Sequence, residues 1–203
     1  MSTDLVADQA RSASRNLAQP IAFRRGPGQA SPRSGASTTE ISRAGSEPAA
    51  TGTGVLGGLE IGIELHRALA GMETRNPEAL RLAARFRESD LGQRVASASR
   101  VEHEFDFLVD LDGVLVSGQI DLWFEHSGET VLVDYKTGAE DPAHEVQVRL
   151  YALALERYLG RLPDTAVLAY LRSGTTVDVS LLPHHLDAAR EAATAFANAP
   201  QDV

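Results

Sequence analysis

The chain has 203 residues, 43% of them hydrophobic and 23% charged, which suits one folded domain of ordinary size with room for a tail. It has no cysteine, which excludes disulfides, thiolate zinc sites, iron–sulfur clusters and cysteine nucleophiles. The net charge of −9 is uneven: residues 1–58 hold six Arg and four acids, whereas residues 59–203 hold thirteen basic and twenty-four acidic residues, which argues against a folded part that grips nucleic acid by bulk electrostatics.

Residues 1–58 are rich in Ala, Ser, Gly, Thr and Pro, lose apolar periodicity after about residue 23 and carry Gly-Pro-Gly at 26–28. They read as a disordered or poorly ordered segment, with one folded domain over 59–200 beginning near Leu59. Ile61, Leu65, Leu69 and Met72 recur at helical spacing. Asn76-Pro77 starts a second helix, Asn as N-cap and Pro at its first position, which runs to about Glu88 and ends before Gly92. The period then becomes that of a strand. Val101–Val109 and Val114–Phe124 read as a hairpin around Asp112-Gly113, and Ser127-Gly128 turns the chain into a third strand, Thr130–Lys136. A long helix follows over about Ala143–Leu159. Thr165–Leu171 and Thr175–Leu181 are strands joined at Ser173-Gly174, and Pro183 opens a last helix to about Ala197. This order predicts one α/β unit with a mixed sheet. No apolar run approaches the roughly 18 residues of a membrane span, and Asp4 and Asp8 break any secretory signal. A soluble, cytoplasmic protein is expected.

Eighteen of the nineteen basic residues are Arg, and the single Lys is Lys136. Arg and Lys exchange freely on a solvated surface but not where a compact ammonium on a flexible stem is required. Strand alternation puts Val114, Val116, Ile120, Leu122 and Phe124 on one face and Asp121, with Leu115, Ser117, Gln119 and Trp123, on the other. In the next strand Asp134 and Lys136 share a face with Leu132, opposite Val131, Val133 and Tyr135. Two carboxylates and the lone lysine thus converge on adjacent strands. Close carboxylates repel unless a cation lies between them, and their oxygens suit Mg²⁺ or Mn²⁺. On spacing alone, a buried Asp–Lys pair serving stability fits as well.

Gly118-Gln119-Ile120-Asp121, a hairpin, then Val133-Asp134-Tyr135-Lys136-Thr137 resembles the core of the PD-(D/E)xK nucleases, closest to the RecB-like branch found in RecBCD- and AddAB-type helicase–nucleases. Gly62-x-x-x-His66 and Gln147-x-x-x-Tyr151 match that branch. Phe86-x-x-Ser89-x-Leu91-Gly92 and Glu102-x-x-Phe105 resemble the segment that joins its first helix to the sheet. Ile63 departs from the small hydroxyl residue usual after the helix glycine. The likeness covers about residues 59–182 and implies a restriction-endonuclease-like α/β core, a mixed sheet of about five strands flanked by helices.

It further implies that His66, Asp121, Asp134 and the Tyr135 carbonyl hold Mg²⁺ or Mn²⁺, that Lys136 positions and activates the attacking water, and that Gln147, Tyr151 and Thr137 line the substrate site. The implied function is metal-dependent DNA hydrolysis, exonuclease-type, in end processing and recombinational repair, with a UvrD-family helicase motor as partner. The chain has no G-x-x-x-x-G-K-[ST] and so no P-loop ATPase. The alternative is a catalytically silent DNA-end-binding or scaffold module of the same fold. His103, His126 and His144 fall in or near turns and receive no role. The adjacent His184 and His185 diverge on a helix and read as helix N-terminal residues. Trp123 and Phe124 read as packing residues.

Overall fold

In the computed structural model, residues 23–25 and 54–198 are described. The elements in chain order are β1 (Phe23–Arg25), α1 (Gly54–Leu69), α2 (Pro77–Glu88), α3 (Asp90–Ala96), β2 (Arg100–Leu111), β3 (Val114–His126), β4 (Glu129–Lys136), α4 (Ala143–Leu159), β5 (Thr165–Tyr170), β6 (Thr175–Asp178) and α5 (Pro183–Asn198). They form one mixed sheet with helices on both faces. None of the described helices is long and apolar enough to cross a membrane.

The hairpins predicted at Asp112-Gly113 and Ser127-Gly128 form because each pair takes two successive positive φ angles, the conformation a two-residue hairpin turn requires. Asp110 Oδ1 accepts the Gly113 N–H at 2.7 Å and closes the first turn. β4 and β5 pair in parallel, joined by α4, while β2–β3, β3–β4 and β5–β6 are antiparallel. β1 adds a sixth strand, antiparallel to β3 through Phe23↔Val116, within the segment read as disordered. The rest of that expectation lies outside the described residues, apart from the first residues of α1, which begins at Gly54 rather than near Leu59.

The helix between Asn76 and Glu88 forms as its sequence dictates. Asn76 Oδ1 accepts the N–H groups of Glu78 and Ala79, and Ala79, Leu82, Ala83 and Phe86 are buried on one stripe. The sequence reading missed α3. Ser89 ends one helix and starts the next: its hydroxyl donates to the Phe86 carbonyl at 2.6 Å and accepts the Gly92 N–H at 3.2 Å. This places Gly92 against the end of α2. A Cβ built there falls 2.0 Å from the Phe86 carbonyl oxygen and 2.7 Å from Arg87 Cα, both backbone atoms. Gly92→Ala therefore forces α3 away from α2, and we expect a loss of about 2–3 kcal/mol, read from the shift of the urea midpoint at unchanged slope.

Two core clusters lie on opposite faces of the sheet. Leu65 and Leu69 of α1 and Leu82 and Phe86 of α2 pack on Leu122, Phe124, Val131, Val133 and Tyr135. Leu150, Leu153 and Leu155 of α4 and Leu186 of α5 pack on Ile120, Trp123, Leu132 and Leu168. Trp123 and Phe124 are fully buried, as read from the sequence.

Strict alternation puts Ile120 and Leu122 on one face, yet they belong to opposite cores, and Ile120 shares its core with Trp123. The alternation slips at Asp121. Opposite it in β2 stands Glu104 with φ 50°, a left-handed conformation uncommon outside glycine. The ladder pairs His103 with Leu122 and Phe105 with Ile120, and drops the Glu104–Asp121 pair between them. The kink exchanges the faces of both strands at that point. Val101 packs with the α1 and α2 core, while Phe105 and Phe107 pack with the α4 and α5 core.

Candidate active site

The kink and a fork in the sheet together build the site. β3 pairs with β2 along its length, but its other edge is shared: β1 covers Val114–Val116, and β4 covers Leu122–His126. Past the Leu122–Val133 pair, β3 and β4 part. There the Tyr135 N–H donates to Asp121 Oδ2 at 2.7 Å, so a side-chain carboxylate stands where a strand carbonyl would otherwise accept. A strand-centre Asp is tolerated because the ladder opens at that residue.

α1 brings His66 to this fork, with its Nδ1 3.4 Å from Asp121 Oδ1. Leu65, fully buried, anchors the helix, and His66 is the next residue, turned to the helix flank. Gly62, one turn earlier, lies where an added Cβ would be 3.9 Å from Thr137 Oγ1, so α1 runs close to the end of β4. That distance is an ordinary contact, and the sterics at Gly62 do not by themselves demand glycine.

On β4, Asp134 is 2% exposed and Lys136 17%. Lys136 Nζ lies 2.8 Å from Asp134 Oδ2 and donates to Gln147 Oε1 at 2.8 Å; Gln147 Nε2 in turn donates to the Tyr151 hydroxyl at 2.8 Å. Lysine has donors only, so it fixes which end of the Gln147 amide faces it and which end reaches Tyr151. The helical spacing of Gln147 and Tyr151 puts both on the α4 face toward β4. The Lys136–Asp134 contact is an ion pair, and its carboxylate oxygen is closed off from solvent.

Charge follows burial here. Burial pushes the Asp121 carboxyl up and the neighbouring Asp134 adds to it, against His66, Lys136 and the Tyr135 N–H; the result is pushed up to about 6. Burial also works to lower Lys136, but Asp134 and Asp121 outweigh it, and the ammonium's pKa is raised. Lys136 is therefore held charged. Tyr135 presents its ring edge-on to Phe86 and His66, and burial raises its phenol well above the ordinary value.

The structure thus brings His66 to Asp121, and Lys136, Gln147 and Tyr151 to Asp134. Thr137 lies next in chain, beside α1. Among the described residues no three His, Asp or Glu side chains form a closed metal-holding group. The donor set nevertheless suits a hard cation: carboxylate oxygens from two strands and one imidazole nitrogen. Sequence reading missed three neighbours. Glu104 of β2 stands at the break in the β2–β3 ladder, level with Asp121. His144 lies three residues before Gln147, on the same helical face, a spacing that could have flagged it. Tyr170 reaches the site only through the parallel β4–β5 register, which no local pattern encodes.

The family model of the PD-(D/E)XK nuclease superfamily matches residues 41–202. The chain belongs to the PD-(D/E)XK nuclease superfamily. Among curated proteins it is similar to an ATP-dependent helicase/nuclease subunit of Bacillus pumilus (strain SAFR-032), 32% identical over 48% of this chain and 10% of that protein. The helicase/nuclease subunit of the same name from Alkaliphilus metalliredigens (strain QYMF) is 31% identical over 36% of this chain and 8% of its own length. The chain spans about a tenth of the length of these relatives. A solved structure from Eubacterium rectale, of a protein provisionally assigned as an exonuclease, superposes with a TM-score of 0.49 at 10% identity, covering 74% of this chain and 66% of that one.

Proposed function

We propose that this chain is a divalent-metal-dependent deoxyribonuclease domain that processes DNA ends in recombinational repair, in concert with a helicase motor. The observation that carries the reading is the buried Asp134–Lys136 pair at the sheet fork beside Asp121, in a member of a nuclease superfamily. A buried Asp134, a largely buried Asp121 and a lysine held by Gln147 cost stability, and polar groups of this kind beside a core call for a chemical use.

His66, Asp121, Asp134 and the Tyr135 carbonyl would hold Mg²⁺ or Mn²⁺. Such an ion supplies Lewis-acid stabilisation of charge on the phosphate. The chain's own residues do the rest. The Lys136 ammonium, fixed by Asp134 and Gln147, orients the attacking water by donating to it. Gln147 and Tyr151 keep that ammonium in place and, with Thr137, line the approach of the strand to be cut. The folded part is strongly acidic, so most of the grip on DNA falls to a partner. The helicase/nuclease names of the relatives point to a motor as that partner.

The test is incubation of the full chain with linear single-stranded and duplex DNA in Mg²⁺ or Mn²⁺, beside an EDTA control. Degradation with metal and none with EDTA is the expected result. Intact DNA under both metals, with binding retained, would replace this reading with that of a DNA-end-binding module.

A further inference from the structure

One polar pair beside the site has no part in the chemistry above. Tyr170, the last residue of β5, stands in register with Lys136, and its hydroxyl lies 3.1 Å from His144 Nδ1 at the start of α4. The hydroxyl accepts the Asp141 backbone N–H, which leaves its own proton and one lone pair for the imidazole. In the tautomer where the hydroxyl donates, Nδ1 accepts and the ring proton sits on Nε2. Burial, and after it the Lys136 ammonium, lowers the His144 pKa, so the ring is neutral at neutral pH.

Directly past Lys136 the surface opens into a cavity of about 470 Å³ lined by Thr137, Gly138, Glu140, Tyr170, Arg172 and Ser173. Its size falls within the range of roughly 300–1,000 Å³ common for small-ligand pockets. Tyr170 belongs both to this wall and to the bond with His144. Arg172 is already engaged by Glu78 at 3.1 Å, and Glu140 repels anions. A second free cation here would compete with Lys136 for Asp134. A neutral N–H donor meets a phosphate oxygen without that competition.

We propose that His144 is a substrate-binding residue of this site: its Nε2–H donates to a non-bridging oxygen of the phosphate next to the scissile one, the attached nucleotide lies in the cavity past Thr137, and Tyr170 is the positioning residue that fixes the tautomer. The proposal rests on the nuclease reading above.

The experiment compares the full-length chain with His144→Ala, His144→Gln, Tyr170→Phe and the His144→Ala/Tyr170→Phe double variant. Cleavage of a single-stranded oligonucleotide in Mg²⁺ gives kcat and KM, and fluorescence anisotropy of the same oligonucleotide in Ca²⁺ gives Kd. His144→Ala should raise KM and Kd about tenfold, the scale of one hydrogen bond to a charged group, and change kcat less than about threefold. His144→Gln, which keeps a donor, should recover part of the loss. Tyr170→Phe should raise KM alone and add nothing to His144→Ala. Unchanged KM and Kd in a folded His144→Ala variant would overturn the proposal while the nuclease reading stands, and so would additivity of the two substitutions. A wild-type chain that binds through His144 but does not cut would support it while the nuclease reading falls. A chain that neither cuts nor binds would end both.

Discussion

Lys136→Arg should fold normally and lose at least roughly 100-fold in cleavage rate, the usual scale for removing one positioned donor from a site of developing charge. Lys136 contacts two groups, the Asp134 carboxylate and the Gln147 amide oxygen, each at 2.8 Å. If its role were to pair with Asp134, Arg would serve, since its planar fork meets carboxylates at least as well. If the role is to present a compact charge to a water, Arg fails: the guanidinium is larger and spreads its charge over three nitrogens. Lys136→Ala should lose about as much activity. The two variants rank differently under the two roles, so a side-by-side rate measurement decides between them. Wild-type cleavage by the Arg variant would sink the assignment.

Asp134→Asn and Asp121→Asn should each abolish cleavage, and Asp121→Asn should at the same time stabilise the metal-free protein. The sign follows from the pKa. Asp121 is pushed up to about 6 in the fold, above its ordinary 3.8. Between pH 4 and 6, on the order of those two values, the folded chain keeps a proton that the unfolded chain has released, so stability falls as pH rises through that window and stays lowered above it. Removing the charge recovers that loss, about 2–3 kcal/mol at pH 7.5, shrinking toward zero near pH 4. Asn still accepts the Tyr135 N–H, so the fork itself survives. Urea melts in EDTA at several pH values measure the gain. Adding Mg²⁺ should then raise the melting temperature of the parent and leave that of the Asn variant in place, because the parent alone keeps the full donor set. A less stable Asp121→Asn chain at pH 7.5 in EDTA would mean that the carboxylate serves the fold.

Local sequence determined most of the elements because each rests on nearest-neighbour physics. Asn76-Pro77 dictates a helix start, Asp112-Gly113 and Ser127-Gly128 dictate tight hairpins, and the apolar spacing of α1 and α2 dictates which helix faces are buried. The chemical outlier was legible too. One Lys among nineteen basic residues, two residues after an Asp in an apolar strand, marks a place where residue type matters.

Tertiary structure alone decided the rest. Strict alternation placed Asp121 on a face with Trp123 and set Ile120 beside Leu122, but the left-handed Glu104 in the partner strand exchanges the faces at that point. A period-2 pattern cannot register such a kink, because its cause lies across the sheet. The sixth strand arises likewise: Phe23–Arg25 pairs with β3 in the register Arg25↔Val114, across a long stretch of intervening chain that includes three helices and β2. His144 and Tyr170 meet only because β5 lies parallel to β4. What set the site's chemistry was likewise nonlocal: burial raises Asp121, and the two surrounding carboxylates keep Lys136 charged against that same burial. Desolvation and charge proximity depend on the packed fold, and neither is written in the order of the residues.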